Sequence, residues 1–206
     1  MKISRSLTIG LGAVVLAVAG QAMAAEVTAL VKEPRASIEW PAAYLPGKTD
    51  NYVSNEIIVA NLSAEQVWLY LVDTRAWPAY YDNASDIRFK DGKGPQLVDG
   101  SRFRFTTFGF PVEAQVVEFI PPSAGAPGRI AWHGWVEGDA QHRLDVHHAW
   151  LIENLSGGRV RILTQEAQQG APARDLAGAR PNPMLNKHQE WIEGLAKAAK
   201  TKMEIR

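Results

Sequence analysis

Two neighbouring stretches decide the fold: HRLDVHHAWLIE, residues 142–153, and RVRILTQEAQ, residues 159–168. Along a β-strand successive side chains point to opposite faces. In the first stretch His142, Leu144, Val146, His148, Trp150 and Ile152 share a mostly apolar face. Arg143, Asp145, His147, Ala149 and Leu151 share the other. In the second, Val160, Ile162, Thr164 and Glu166 fall together, against Arg159, Arg161 and Gln165. Gly157-Gly158 between them is turn chemistry, so the pair reads as an antiparallel hairpin with one face turned inward. A tight turn near Leu155-Ser156 sets Trp150 opposite Ile162 and His148 opposite Thr164. His148 and Glu166 are then diagonal neighbours on the inner face.

The pattern extends in both directions. Upstream, Ser85–Lys90, Ser101–Phe108, Val112–Ile120 and Arg129–Glu137 read as strands, separated by Asp91-Gly92, Asp99-Gly100, Pro121-Pro122 and Gly138-Asp139. Short intervals between strands predict an antiparallel meander. Before it, Glu56–Ala60 reads as a strand. Ser63 and Gln66 form a capping box opening a helix whose apolar face is Val67, Trp68 and Leu71. Trp77-Pro78 separates that helix from a second short one through Tyr80 and Tyr81. Downstream, Ala171–Pro181 reads as a Pro-, Gly- and Ala-rich loop. Asn182 then caps a last helix with Pro183 at its first position. Leu185, His188, Ile192, Leu195 and Ala199 fall at helical spacing on that helix. One strand, two short helices, a run of strands and a long C-terminal helix predict an α+β domain whose curved sheet wraps around a helix.

This order resembles the helix-grip fold of the START-like superfamily, also called SRPBCC or polyketide cyclase/dehydrase-like. The resemblance covers roughly residues 51–200. It rests on Ser63–Tyr81 with Trp77-Pro78, Gly100 before Phe103-Arg104-Phe105, Arg129-Ile130-Ala131-Trp132, and His148–Glu153 followed by Gly157-Gly158 and Thr164. What it implies is a cavity between the concave sheet and the last helix that binds a small hydrophobic, aromatic or lipid-like molecule. Activities in the superfamily range from carriers to cyclases, so the fold does not choose among them.

The chain has 206 residues, with 22 Lys+Arg balanced by 22 Asp+Glu, five histidines and no cysteine. A neutral total gives no reason to expect a nucleic acid as partner. Lack of cysteine excludes disulfides, thiolate metal sites and cysteine nucleophiles. Lys2 and Arg5, the apolar run Leu7–Gly20 and Ala22-Met23-Ala24 have the pattern of a secretory signal peptide, residues 1–24. The run is shorter than the ~20 residues that span a bilayer comfortably. The alternatives are cleavage after Ala24 or retention as an anchor. Cleavage removes two basic residues and leaves no membrane span, with the protein periplasmic or secreted. Residues 25–50, interrupted by Pro34, Pro41, Pro46 and Gly47, read as an irregular extension anchored by Trp40 and Tyr44. Residues 51–206 form the ligand-binding domain.

Candidate site residues follow from the inward parity. His148 and Glu166 are the candidates for acid–base chemistry, because a carboxylate beside an imidazole in an apolar cavity can tune a base or bind a polar group. They can equally satisfy one another and Thr164 as buried core. Phe103, Phe105, Trp132, Trp150 and Trp191 are the candidates to wall a ligand, or to fill the grip. No metal site is expected, since His147 and His148 point to opposite faces and no i, i+4 histidine pair occurs. No cofactor motif is present, and the sequence says nothing of oligomeric state. Three readings result: a binding protein, a cyclase- or dehydratase-like enzyme using His148 or Glu166, and a partner-binding module contacting through Trp40 and the extension.

Overall fold

The computed structural model describes residues 35–90 and 92–201. The chain divides into units 1–35 and 36–206. The signal-like segment 1–24 lies outside the described residues, as does the lead-in up to residue 34. No described helix is long and apolar enough to cross a membrane.

Among the described residues of the second unit, seven strands form one antiparallel sheet: β1 (Asn51–Ala60), β2 (Ser85–Phe89), β3 (Arg102–Thr107), β4 (Phe110–Ile120), β5 (Gly128–Val136), β6 (Leu144–Leu155) and β7 (Arg159–Gln169). Their order is β1-β7-β6-β5-β4-β3-β2, so the meander from β2 to β7 is completed by β1 returning beside β7. Helices α1 (Ala64–Val72) and α2 (Trp77–Tyr80) connect β1 to β2, and α3 (Ala171–Gly178) and α4 (Pro183–Thr201) follow β7. This is the α+β helix-grip architecture. Ser63 caps α1 through a reciprocal box with Gln66, as the sequence predicts. Asn182 caps α4 by accepting a 3.0 Å hydrogen bond from the Met184 amide.

Four local readings change. Residues 171–178 are helix α3 rather than loop, because Pro172 sits in the first turn, where a missing N–H costs nothing. The buried face of α4 is Met184, His188, Trp191, Ile192, Leu195, Ala196 and Ala199. Leu185 is instead exposed. Tyr81 follows α2 in an extended conformation and does not belong to it. His142 is not on a strand: it closes an exposed turn, 2.6 Å from the Asp139 carboxylate, and β6 begins at Leu144.

Both faces of the central strands are covered. Inside, α1, α2 and α4 pack on the sheet around Trp77, Trp132, Trp150 and Trp191. Outside, Ile38 is buried against Ala131, Ala149, Leu151 and Leu163. That covering segment is fastened by Arg161, whose guanidinium donates to the Ala36 carbonyl and pairs with Glu56 and Glu153. Trp40 packs edge-on against Tyr52 and His147, and the Tyr44 hydroxyl bonds to Asp145. Trp40 and Tyr44, the two aromatic residues named as anchors, are therefore both engaged within this unit.

Close approach of α4 to α2 depends on Gly194. A Cβ at that position would lie 2.1 Å from the Tyr80 carbonyl oxygen, which is backbone and cannot swing aside. Gly194→Ala is expected to destabilise the protein by about 1–3 kcal/mol in urea unfolding, despite a gain of roughly 1 kcal/mol in helix propensity. An unchanged or raised midpoint would show that α4 moves outward at no cost.

Candidate functional site

Register creates the site. Gly157 and Gly158 both adopt positive φ, 69° and 64°, a conformation that suits glycine. They place the β6–β7 turn one residue later than the sequence suggests, pairing Leu155 with Arg159. Moving the turn centre by one residue slides the partners by two. Faces are preserved, but Trp150 now faces Thr164 and His148 faces Glu166 directly. Across the sheet Trp132, His148, Glu166 and Val53 form one row on β5, β6, β7 and β1.

At the centre of that row His148 Nδ1 lies 2.9 Å from Glu166 Oε2, and its Nε2 shares a 2.7 Å hydrogen bond with the Thr164 hydroxyl. From α4, His188 brings its Nε2 to 3.3 Å from the same carboxylate oxygen. The other oxygen, Oε1, accepts a 2.6 Å bond from the Gln168 amide, whose own carbonyl oxygen accepts from Asn51. All six side chains are buried. The imidazoles of His148 and His188 stack with centroids 4.7 Å apart and planes at 12°. Trp132 lies 4.6 Å from the His148 ring, with Trp150 and Trp191 on its other sides. Among the described residues this is the one cluster whose ligand-type atoms, one each from His148, Glu166 and His188, all lie within 4.8 Å of one another.

Electrostatics follow from burial and hydrogen bonding. Desolvation opposes ionisation of Glu166. Hydrogen bonds donated by His148 and His188 outweigh it and hold the carboxyl below its usual range. Burial pushes His148 down to about 4 against the pull of Glu166, so the imidazole is neutral at pH 7. A neutral His148 donating from Nδ1 to the carboxylate leaves Nε2 to accept from Thr164, which satisfies every atom of that chain. His188 Nδ1 is buried with no hydrogen-bond partner.

Beside the cluster is a cavity of about 30 Å3, lined by Phe105, Trp132, His148, Glu166, His188 and Trp191 among others. That holds a water or two, well short of the roughly 300–1,000 Å3 of a small-molecule pocket. Its outer wall is made by Phe108 and Phe110, from the β3–β4 turn, and by Leu176 of α3, all half-buried. A larger depression of about 710 Å3 lies on the outside, between α2 and α4. It is open and contains none of the buried polar groups.

Every candidate site residue named from the sequence is inside the grip. Phe105, Trp132, His148, Glu166 and Trp191 border the cavity. Phe103, Trp150 and Thr164 stand behind them: Phe103 stacks on Phe89 and Phe105, and Thr164 supports His148. Sequence reasoning left out His188 and Gln168. Gln168 continues the inward parity of Val160 to Glu166, which is a readable signal. His188 is a lone histidine on an apolar helix face, and only packing brings it to Glu166. Local spacing therefore gives no sign of this cluster, whereas three elements bring its ligand-type atoms together in space.

No family model matches the chain, and no curated protein matches it. Among solved structures, the Thermus thermophilus protein TTHA0849 superposes with a TM-score of 0.52 at 14% identity, over 73% of this chain and 98% of that one. The di-domain ARO/CYC StfQ from the steffimycin biosynthetic pathway gives 0.52 at 11% identity, over 75% and 53%. Both are likenesses of fold. A crystal structure of the hypothetical protein jhp0584 from Helicobacter pylori is different in kind: 46% of residues are identical, over 82% of this chain and 99% of that one, at a TM-score of 0.77. At that identity over nearly the whole of its relative, the chain belongs to the family of Helicobacter pylori jhp0584.

Proposed function

We propose that this protein is exported and binds a small hydrophobic or aromatic molecule inside the grip, its polar group meeting His148, Glu166 and His188. The observation that supports this most is the buried carboxylate at the end of an aromatic interior. A buried ionic cluster is weak evidence of stability, since apolar side chains of similar volume usually serve a core as well or better. A group of this kind beside a cavity is a functional-site candidate. The free volume is small, so binding requires the outer wall of Phe108, Phe110 and Leu176 to move, with α3 and the β3–β4 turn shifting together. The partner-binding reading draws support from the filled interior, but Trp40, its proposed contact, is already packed against Tyr52 and His147.

Native mass spectrometry of the full-length gene product, expressed in its own host and recovered from the periplasm or medium, tests both parts. The expected mass begins at Ala25 and includes a small organic adduct, which Trp132→Ala loses. A protein retaining residues 1–24 in the cytoplasm overturns export. An adduct-free protein that also fails to bind aromatic and fatty-acid probes overturns ligand binding.

A further inference from the structure

The geometry points to His148, Glu166 and His188 as ligands of one divalent first-row transition-metal ion. Two imidazole nitrogens and a carboxylate oxygen are the donor set that Zn2+ and its neighbours in the row accept. His148 Nδ1 and His188 Nε2 stand 2.9 and 3.3 Å from Glu166 Oε2. Donors around an ion with bonds of about 2.1 Å are separated by roughly 3.4 Å, so small side-chain adjustments suffice. The three residues come from β6, β7 and α4, elements held by the core rather than by a loop.

The surroundings fit an ion as well as the donors do. Metal-binding histidines donate their second N–H to a fixed acceptor; with Nδ1 on the ion, the His148 proton moves to Nε2, 2.7 Å from Thr164 Oγ1, whose hydroxyl has the Ala149 carbonyl as its own acceptor. A ligating carboxylate is itself held by hydrogen bonds, and the Gln168 amide holds Glu166 Oε1 at 2.6 Å. Among the described residues the ion-pair partners of Glu166 are the two imidazoles, with no Lys or Arg beside it. A cation supplies the counter-charge that a buried carboxylate needs. The second nitrogen of His188, Nδ1, points away from the donor set and is buried with no hydrogen-bond partner, so the support of a fixed acceptor is given to His148 and not to His188. The adjoining cavity of about 30 Å3 leaves space for a water in a fourth position, the open geometry of catalytic rather than structural zinc sites. Binding displaces the protons that bridge the cluster, and this step is independent of the organic ligand proposed above.

The experiment uses the full-length protein, unfolded with chelator and refolded with Zn2+ so that burial does not block entry. After dialysis, metal content is measured by mass spectrometry. Wild type and His133→Ala, a histidine outside the cluster, are expected to retain one zinc per chain, and His188→Ala and Glu166→Gln none. Thr164→Val keeps all three ligands and the shape of the site. It should bind roughly 10–100-fold more weakly, with Thr164→Ser restoring affinity. Cobalt(II) in place of zinc should give visible bands of a four-coordinate site that His188→Ala lacks. Zinc-free wild type after refolding, or zinc retained equally by folded His188→Ala, overturns the assignment. Either result leaves the organic-ligand reading standing, since that reading is judged by the adduct.

Discussion

Trp191→Ala is expected to lower stability by about 3–5 kcal/mol, the range for removing a large buried aromatic side chain. The indole is 2% exposed and stacks on Tyr81 with centroids 4.2 Å apart. It also meets Trp77, Trp132 and Trp150 edge-on or tilted. No single neighbour can collapse into the space, because each is fixed by another: Trp77 donates its indole N–H to the Leu71 carbonyl, and Trp150 is packed between β6 and α4. Against a total of roughly 5–15 kcal/mol this is a large fraction of the fold. Thermal unfolding should show a midpoint lowered by roughly 6–20 °C, for a domain of this size. Trp191→Phe, which keeps a ring on Tyr81, should recover much of the loss. A decrease under about 1 kcal/mol for the alanine variant would mean that α4 is held by its ends and not by this ring.

His148→Leu, measured in metal-free protein, is expected to cost about 3–5 kcal/mol, because it removes a donor from an ionised carboxylate that stays buried. Replacing all three members, His148→Leu with Glu166→Met and His188→Leu, should return stability to within about 1 kcal/mol of wild type or above it. The contrast separates two explanations of the cluster. If the polar network were retained for folding, the triple variant would be at least as unstable as the single. If it is retained for what it binds, the triple variant folds well and loses binding. Urea unfolding of the three proteins decides between them, and non-additivity is the quantity to read. Wild type, His148→Leu and the triple variant should give equal m-values if the folded state is the same in each.

How far the sequence reaches differs between fold and site. Period-2 alternation in residues 142–168 and the capping signals at Ser63 and Asn182 are local, and local chemistry determines them wherever the chain goes. The strand faces are of that kind: inward parity for His148, Trp150, Thr164 and Glu166 survives a shift of register by two. Register itself is not local, because it depends on how Ser156-Gly157-Gly158 closes its turn. That difference turns a diagonal His148–Glu166 pair into a direct one. Helix α3 was hidden by composition, since an Ala- and Gly-rich segment opening on proline suits a loop as well as a short helix.

The sequence by itself determined an α+β order with an inward-facing aromatic and polar set, because residue type and period are properties of the chain alone. Only the tertiary structure decided that His188 joins His148 and Glu166, since the angle at which α4 crosses the sheet is fixed by Trp191 and Gly194 against their partners. It also decided how much room remains. Five aromatic side chains can wall a cavity or fill it, and close packing of Trp77, Trp132, Trp150, Trp191 and Phe103 leaves about 30 Å3 beside the carboxylate.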